Sequence, residues 1–500
     1  MKLPSTPSWF ATSRARGLAL LLPLSSLAAT AIAAPVHQAT GIKIVEPTAT
    51  TATIWTRLTR DADRAPDDGP LPVTRLTNRK TGQEINLKDN ANYGDARVEI
   101  SYPPGADLGS IRGAALGASG DTRVRYRAAG ATTWIDAGWR AVDATRDFTS
   151  VFALSGLRPA TRYEVEVEGR PDARSPATST TRGGFTTAPA ADAAARVSFC
   201  VMTCQQYEDR DRPDGFKIYP AMLALRPDFF VNTGDAVYYD HGPVHAVNAD
   251  LARYHWARMF SYGALRELHR QVGSYFQKDD HDVLTNDSEP GARNGDLTFA
   301  DGLRIFHEQT ATGQPPYRTV RWGRHLQIWL VEGRDFRSSA TKPHTIWGAE
   351  QIAWTERTLA ASDATFKILI TPTPMVGPDR PQKDDNYANA GFSDEGARLR
   401  AMLTKQKNLI TITGDRHWQY VSVDPATQLE EWSVGAASDA HAGGWNEEQP
   451  RAMHRFLRIK HGGFLSGELN IVSGAPRLAL RLHDVDGRVV FESVKSGRGE

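Results

Sequence analysis

This chain has almost no excess of basic over acidic residues. Its 500 residues carry 59 Lys and Arg against 58 Asp and Glu, for a net charge of +1. A nucleic-acid-binding protein would show a basic excess or a basic stripe, and neither is present, so no nucleic-acid-binding surface is evident. Cysteine is equally scarce. Two cysteines cannot build a disulfide framework in so long a chain, and the fold must hold by burial, which this length allows. Long apolar runs are also lacking. Beyond the first 35 residues nothing approaches ~18 consecutive apolar positions, so no membrane span is expected.

The exception at the start reads as an address. Lys2, Arg14 and Arg16 precede the short run GLALLLPLSSLAATAIA, and small residues follow at Ala31 to Ala34. Positive residues, an apolar run and a small-residue cleavage site are the signature of an export signal over residues 1–34. Pro23 and the run's length argue against a permanent span. The SRARG stretch resembles a twin-arginine signal with its pair split by Ala15, which leaves both export routes open. A monomer in the periplasm or outside the cell is expected.

Composition changes near residue 190. Before it, short β-type runs alternate with turn residues, and the predicted domain over 38–190 is an antiparallel sandwich. FALSGLRPATRYEVEVEGR is its most specific piece: Tyr163 precedes alternating Val165 and Val167, a pattern similar to the tyrosine-corner strand of fibronectin type III domains. The Gly- and Asp-rich segment from Asp61 to Gly120 does not fit a minimal sandwich and reads as an inserted loop. GGFTTAPAADAAAR (Gly183 to Arg196) reads as a linker. A second domain over 195–490 is β-α-β in pattern, with strands at VSFCVMT, DFFVNTGD, LQIWLVEG, FKILITP and NLITITGD. Helical faces run through Ile218, Met222 and Leu225, through Ile352, Thr355 and Leu359, and through Leu399, Met402 and Leu403. A hairpin turning at Asp486-Gly487 closes the chain.

Polar residues cluster where these strands end, the place where ligands gather on an α/β sheet. One end reads Thr203-Cys204-Gln205, another Gly234-Asp235 with Tyr238 and Tyr239, a third KDDHDVLTND and the last TGDRHWQY. A turn or a solvated loop is the commoner reading of each alone. Four such ends, all carrying oxygen, imidazole or thiolate donors, point to a metal centre. That donor mixture suits a trivalent or transition ion together with a hard divalent one, and Asp235 is the natural bridge between them. The two cysteines do not pair in this reading. On one extended strand Cys200 and Cys204 lie ~13 Å apart, while a disulfide needs Cα atoms within ~7 Å. Cys200 is expected in the core and Cys204 at the mouth as a thiolate ligand. Arg210 and Arg212 follow closely and are candidates for a phosphate clamp.

FCVMTCQQY, RPDFFVNTGDAVYY, DDHDVLTND and TGDRHWQY, behind a sandwich and an export signal, together resemble the PhoD-like alkaline phosphatase and phosphodiesterase family of calcineurin-like metallophosphoesterases. The resemblance covers most of residues 40–480. It implies a four-layer α/β/β/α catalytic fold, one Fe3+ and one or two Ca2+, and hydrolysis of phosphate mono- or diesters by metal-activated water. Position by position it implies Cys204, Asp235, Tyr238 and His417 as iron ligands, with Asp235 also bridging to calcium. Asp280, Asn286 and Asp415 fall on the calcium side. His281 is assigned to proton transfer or leaving-group stabilisation, with the orienting of Asp280 as its alternative role. The chain departs from the family at Glu332, where an aspartate is usual, although Arg334 and Arg337 are retained. No histidine follows ILITPTPM, where broader relatives have one, and Asp385 and Asn386 in KDDNYAN read as a solvated loop. Two rival functions remain at this stage: a phospholipase D-like or other phosphodiesterase, and a surface-binding sandwich with a degenerate metal site.

Overall fold

The computed structural model describes residues 33–446 and 451–497. The export signal expected over 1–34 lies outside the described residues except for Ala33 and Ala34. Among the described residues no helix is long and apolar enough to cross a membrane.

Two large sheets carry the fold. The first has nine strands in the order Val489–Ser496, Ala475–His483, Phe464–Val472, Val197–Met202, Phe229–Thr233, Gly273–Gln277, Ile42–Val45, Ala52–Arg57 and Thr149–Leu154. The second has seven, in the order Arg318–Trp322, Leu326–Leu330, Phe366–Thr371, Leu409–Thr413, Glu430–Val434, Gln419–Val423 and His454–Arg458. The central strands of each pair in parallel, which requires crossover connections of the kind helices provide.

Side-chain alternation along these strands builds the layers. Phe199 and Val201 face inward with Ile328, Ile368 and Ile412, a dry core between the sheets. Cys200 and Met202 point the other way, into a helix layer with Met222 and Leu265. On the far sheet Trp329, Leu369 and Leu409 meet Leu359, Leu399 and Leu403 of the helices Gly348–Ala360 and Ser393–Leu403. Each large apolar side chain buried this way contributes about 1.5–3 kcal/mol, and the result is an α/β/β/α stack. In the helix Ile218–Ala224, Ile218 and Met222 are buried as expected, but Leu225 caps its end and is exposed, because the chain turns there. Two helices that the sequence patterns did not suggest, Ala249–Phe260 and Phe299–Thr310, start on side-chain caps from Asn248 and Thr298.

The change in composition near residue 190 marks no break in the sheet. Ile42–Val45, Ala52–Arg57 and Thr149–Leu154 face a four-stranded sheet ordered Ser179–Thr186, Arg162–Arg170, Asp121–Ala128 and Ile135–Ala141. Ile44, Ile54, Phe152, Val165 and Phe185 fill the space between them. Tyr163 accepts a hydrogen bond from the Arg158 N–H at 2.9 Å, closing the corner. The free edge of Ile42–Val45 is paired in parallel with Gly273–Gln277, Val45 opposite Ser274. An unpaired strand edge is costly to leave bare, and Pro35–Glu500 accordingly forms one compact unit.

The segment from Asp61 to Gly120 is more than a loop. It contains a small sheet of Val73–Thr77, Glu84–Ile85 and Arg97–Ser101. Leu76, Ile111 and Ala114 join the helix-layer core, and Tyr254 donates to the Arg112 carbonyl at 2.6 Å.

Candidate metal centre

Three donors sit on turns directly past strand ends, and all three adopt a left-handed backbone: Cys204 (φ 51°), Asp235 (φ 53°) and Asp415 (φ 63°). That conformation costs an L residue about 1–2 kcal/mol, so it persists only where the surroundings enforce it. The enforcement is visible. Cys204 N–H donates to the Gly234 carbonyl at 3.3 Å, Gln205 N–H to that of Asp235 at 3.0 Å, and Ala437 N–H to that of Cys204 at 3.1 Å. Gly234 (φ +105°) has no room for a side chain, since a Cβ there would lie 2.7 Å from Asp279 Cβ and 2.8 Å from its nitrogen. Asp282 completes the clamp. Its carboxylate accepts from the amides of Asp235 at 2.7 Å, Val237 at 3.0 Å and Asp279 at 3.0 Å.

Asp235 is the hub. Its Oδ2 receives hydrogen bonds from Cys204 Sγ at 3.3 Å and the Tyr238 hydroxyl at 3.2 Å, and that hydroxyl lies 3.2 Å from His417 Nε2. Ligand atoms of Cys204, Asp235 and His417 lie within 4.8 Å of one another, as do those of Asp235, Asp280 and His281, and those of Asp235, Asp279 and Asp415. Asp235 belongs to all three groups. It is buried, and its Oδ1 has no hydrogen-bond partner. Burial, only partly opposed by His281 and reinforced by Asp280, Asp282 and Asp415, holds its carboxyl well above the ordinary range. Burial with Asp235 and Asp415 likewise drives the Cys204 thiol up, and burial pushes the Asp415 carboxyl up to about 6 even beside Arg416. Burial and the neighbouring charges of His441, His281, Arg416 and Arg380 keep the His417 imidazole neutral, the form that binds metal. A buried, crowded, under-satisfied donor set of this kind fits cations, whose charge would reverse the upward shifts of the two carboxyls and the thiol and reinforce the neutral state of His417.

The structure thus brings Cys204, Asp235, Tyr238, Asp280, Asp415 and His417 together, and Asn286 and His281 line the cleft beside them. Asp280 is also paired with Arg334 at 3.4 Å and accepts the Asp287 N–H at 2.5 Å. His281 does not orient Asp280. Its Nδ1 donates to Asp240 at 2.6 Å, and its ring stacks on Tyr238 with centroids 4.3 Å apart. Burial opposes a charge on His281, yet Asp240, Asp280 and Asp235 outweigh it and hold the imidazole protonated well above its usual range.

Several residues here gave no signal in the sequence. Asp240 ties His281 to Asn286, whose N–H it accepts at 2.8 Å. His441 comes from a loop without a motif, with Nε2 2.9 Å from the Tyr238 hydroxyl and Nδ1 donating to Asp209 at 2.9 Å. Asn90 arrives from the Asp61–Gly120 segment to line the cleft. Asp279 and Asp282 lay inside a quoted motif, where their nearness to Asp280 could have marked them.

Two expectations are corrected. Arg210 and Arg212 do not reach the cleft: Arg210 pairs with Asp67 at 3.2 Å and Arg212 with Asp214 at 2.8 Å, so local carboxylates capture both. Asp385 and Asn386 are not solvated. Both are buried, because Asp385 pairs with Arg416 at 3.2 Å and Lys383 at 3.1 Å, and Asn386 donates to Asp379 at 2.8 Å. The arginine and lysine that do line the cleft are Arg380 and Lys383. The Cys200–Cys204 reading holds: both thiols are free and buried.

Residues 199–438 match the PhoD-like phosphatase family. Among solved structures, PhoD superposes with a TM-score of 0.68 at 14% identity, covering 93% of this chain and 89% of that one. The purple acid phosphatase PPD1 from yellow lupin (Lupinus luteus) seeds gives 0.55 at 13% identity, covering 89% and 79%. At such identities the likeness is one of fold. No curated protein matches the chain.

Proposed function

We propose that this chain, whose residues 199–438 match the PhoD-like phosphatase family, is an exported metal-dependent phosphoesterase that hydrolyses phosphate mono- and/or diesters at a centre of one iron and one or two calcium ions. The observation that carries the reading is Asp235, shared by three donor groups and left with one unpartnered buried oxygen. Cys204, Asp235, Tyr238 and His417 would hold iron, since thiolate, phenolate and imidazole suit a transition ion. Asp235, Asp280, Asn286 and Asp415 would hold calcium through oxygen alone. Bound cations would neutralise charge on the phosphoryl oxygens and acidify the attacking water.

The chain's own groups do the rest. His281, held through Nδ1 by Asp240 and lining the cleft, is placed to give the departing oxygen its proton. Asp240 engages its Nδ1 and fixes the ring, so the other nitrogen is the one that delivers it. The sandwich over 38–190 reads as fibronectin III-like, supported by its strand order and the Tyr163 corner. Residues 1–34 serve as the export signal.

Elemental analysis combined with an ester panel tests this. The purified protein should contain iron, show a visible phenolate-to-iron band, and turn over an aryl monoester and a bis-aryl diester. Colourless, iron-free protein removes the iron assignment. Preference for a phospholipid over both aryl esters favours the phospholipase D-like alternative, and no turnover by metal-loaded protein sinks the reading.

A further inference from the structure

Besides His281, the cleft is lined by one arginine and one lysine, and they differ. Lys383 is neutralised, with Asp287 and Asp385 each 3.1 Å from its Nζ. Arg380 is only partly so. Its one acidic neighbour among the described residues, Asp379, accepts from its Nε at 3.4 Å and is shared: Arg416 pairs with it closely, and Asn386 donates to it at 2.8 Å. The Arg380 guanidinium sits 5.7 Å from the Trp418 ring centroid, and a Cβ on Gly444 (φ +91°) would approach its Nη1 to 3.2 Å.

The loop that presents Arg380 is heavily anchored. Glu431, deep in the sheet, accepts the amides of Met375, Val376 and Gly377 at 2.5–2.9 Å. Asn389 donates to the Arg380 carbonyl at 2.6 Å. Asp379 and Asp385 both pair with Arg416, the residue between the donors Asp415 and His417. One buried guanidinium therefore locks the Arg380 loop to the metal-binding tip. Arg380 belongs to none of the three donor groups, so such a cation has two uses left: holding the transferring phosphoryl group, which would aid every ester alike, or holding a second anion on the substrate. A substrate with a second negative charge would use it, because a guanidinium reads carboxylate or phosphate oxygens through paired N–H donors.

We propose that Arg380 is a specificity residue that selects phosphate esters whose alcohol portion carries a second anionic group, a phosphate or a carboxylate. This rests on the phosphoesterase reading and narrows its substrate class.

Three esters test it: phenyl phosphate, 3-carboxyphenyl phosphate and resorcinol bisphosphate. The readout is the ratio of kcat/KM for each charged ester to that for phenyl phosphate. The wild type should favour a charged ester, the carboxylate and phosphate arms showing which anion is read. Arg380→Met should lower that ratio roughly tenfold or more, the scale of a lost charged hydrogen bond. Arg380→Lys should retain part of it as a point charge. Arg212→Ala, a surface control outside the cleft, should leave it unchanged. No preference in the wild type, or an unaltered ratio in Arg380→Met, overturns the assignment. Calorimetric binding of the corresponding phosphonates separates the two readings. Preference for the second anion in binding without turnover sinks hydrolysis alone, and equal binding of phosphonates with and without that second anion sinks this proposal alone.

Discussion

The Asp282 carboxylate accepts the Asp235 N–H at 2.7 Å, and through the same group it also holds Val237 and Asp279. One side chain that need not touch a cation thereby fixes two turns bearing donors. Asp282→Asn keeps the volume but replaces one acceptor oxygen with an N–H2 facing amide N–H groups. Metal affinity should fall ~10–100-fold, the usual effect of losing a group that orients ligands, with the loss read by competitive chelator titration. Unchanged affinity would mean the turns hold themselves.

Asp235→Asn should abolish hydrolysis of an aryl phosphate, because the shared carboxylate at the hub is gone. Metal-stripped Asp235→Asn should unfold no sooner than the stripped wild type, since the substitution removes an ionisable group whose charged form burial and Asp280, Asp282 and Asp415 disfavour. Retained turnover refutes the bridging role.

Metal removal should invert the response to pH. Burial raises the folded-state value of Asp282 to about 7, and His281 is held well above 6.5, where Asp240, Asp280 and Asp235 outweigh burial. Both groups bind more protons folded than unfolded, so their stabilisation is present at low pH and is lost as pH rises through the folded values. Stripped protein should therefore show a falling Tm from pH 6.5 to 8. Loaded protein should not, because cations favour deprotonated ligands. Parallel Tm curves would contradict the assignment.

Gly234→Ala places a Cβ 2.7 Å from Asp279 at a φ of +105°. Strain and overlap together should cost about 2–4 kcal/mol and reduce metal content, measured by denaturant unfolding and elemental analysis. A well-folded, metal-replete variant would show that the Asp235 and Asp279 turns can move apart.

Tyr238→Phe should remove the visible band of iron-loaded protein while sparing the fold, since the ring keeps its stacking on His281. His441→Gln should shift that band, because the His441 ring nitrogen lies 2.9 Å from the phenol oxygen. A band that survives Tyr238→Phe assigns the colour to another ligand.

Local pattern was enough for some of this protein. Strands with alternating or continuous apolar residues, the donors at their carboxyl ends, the separation of Cys200 from Cys204 and the Tyr163 corner all depend on neighbours a few residues away, and sequence spacing encodes such relations directly. Arg210 and Arg212 were misread for the complementary reason. Nearness to Cys204 in sequence is no guide once Asp67, from a segment more than a hundred residues earlier, claims a guanidinium. Asp385 looked solvated because its partner Arg416 belongs to a different strand end.

What the sequence determined by itself, then, is which groups can act as ligands and which strand ends carry them, because both follow from residue type and backbone period. Tertiary structure alone decided that Asp240 grips His281, that His441 reaches Tyr238, that the sandwich shares a sheet with the catalytic strands and that Arg380 is the cation left without a full partner. Those outcomes depend on competition among distant charges and edges for partners in space, and a linear pattern does not rank such competitors.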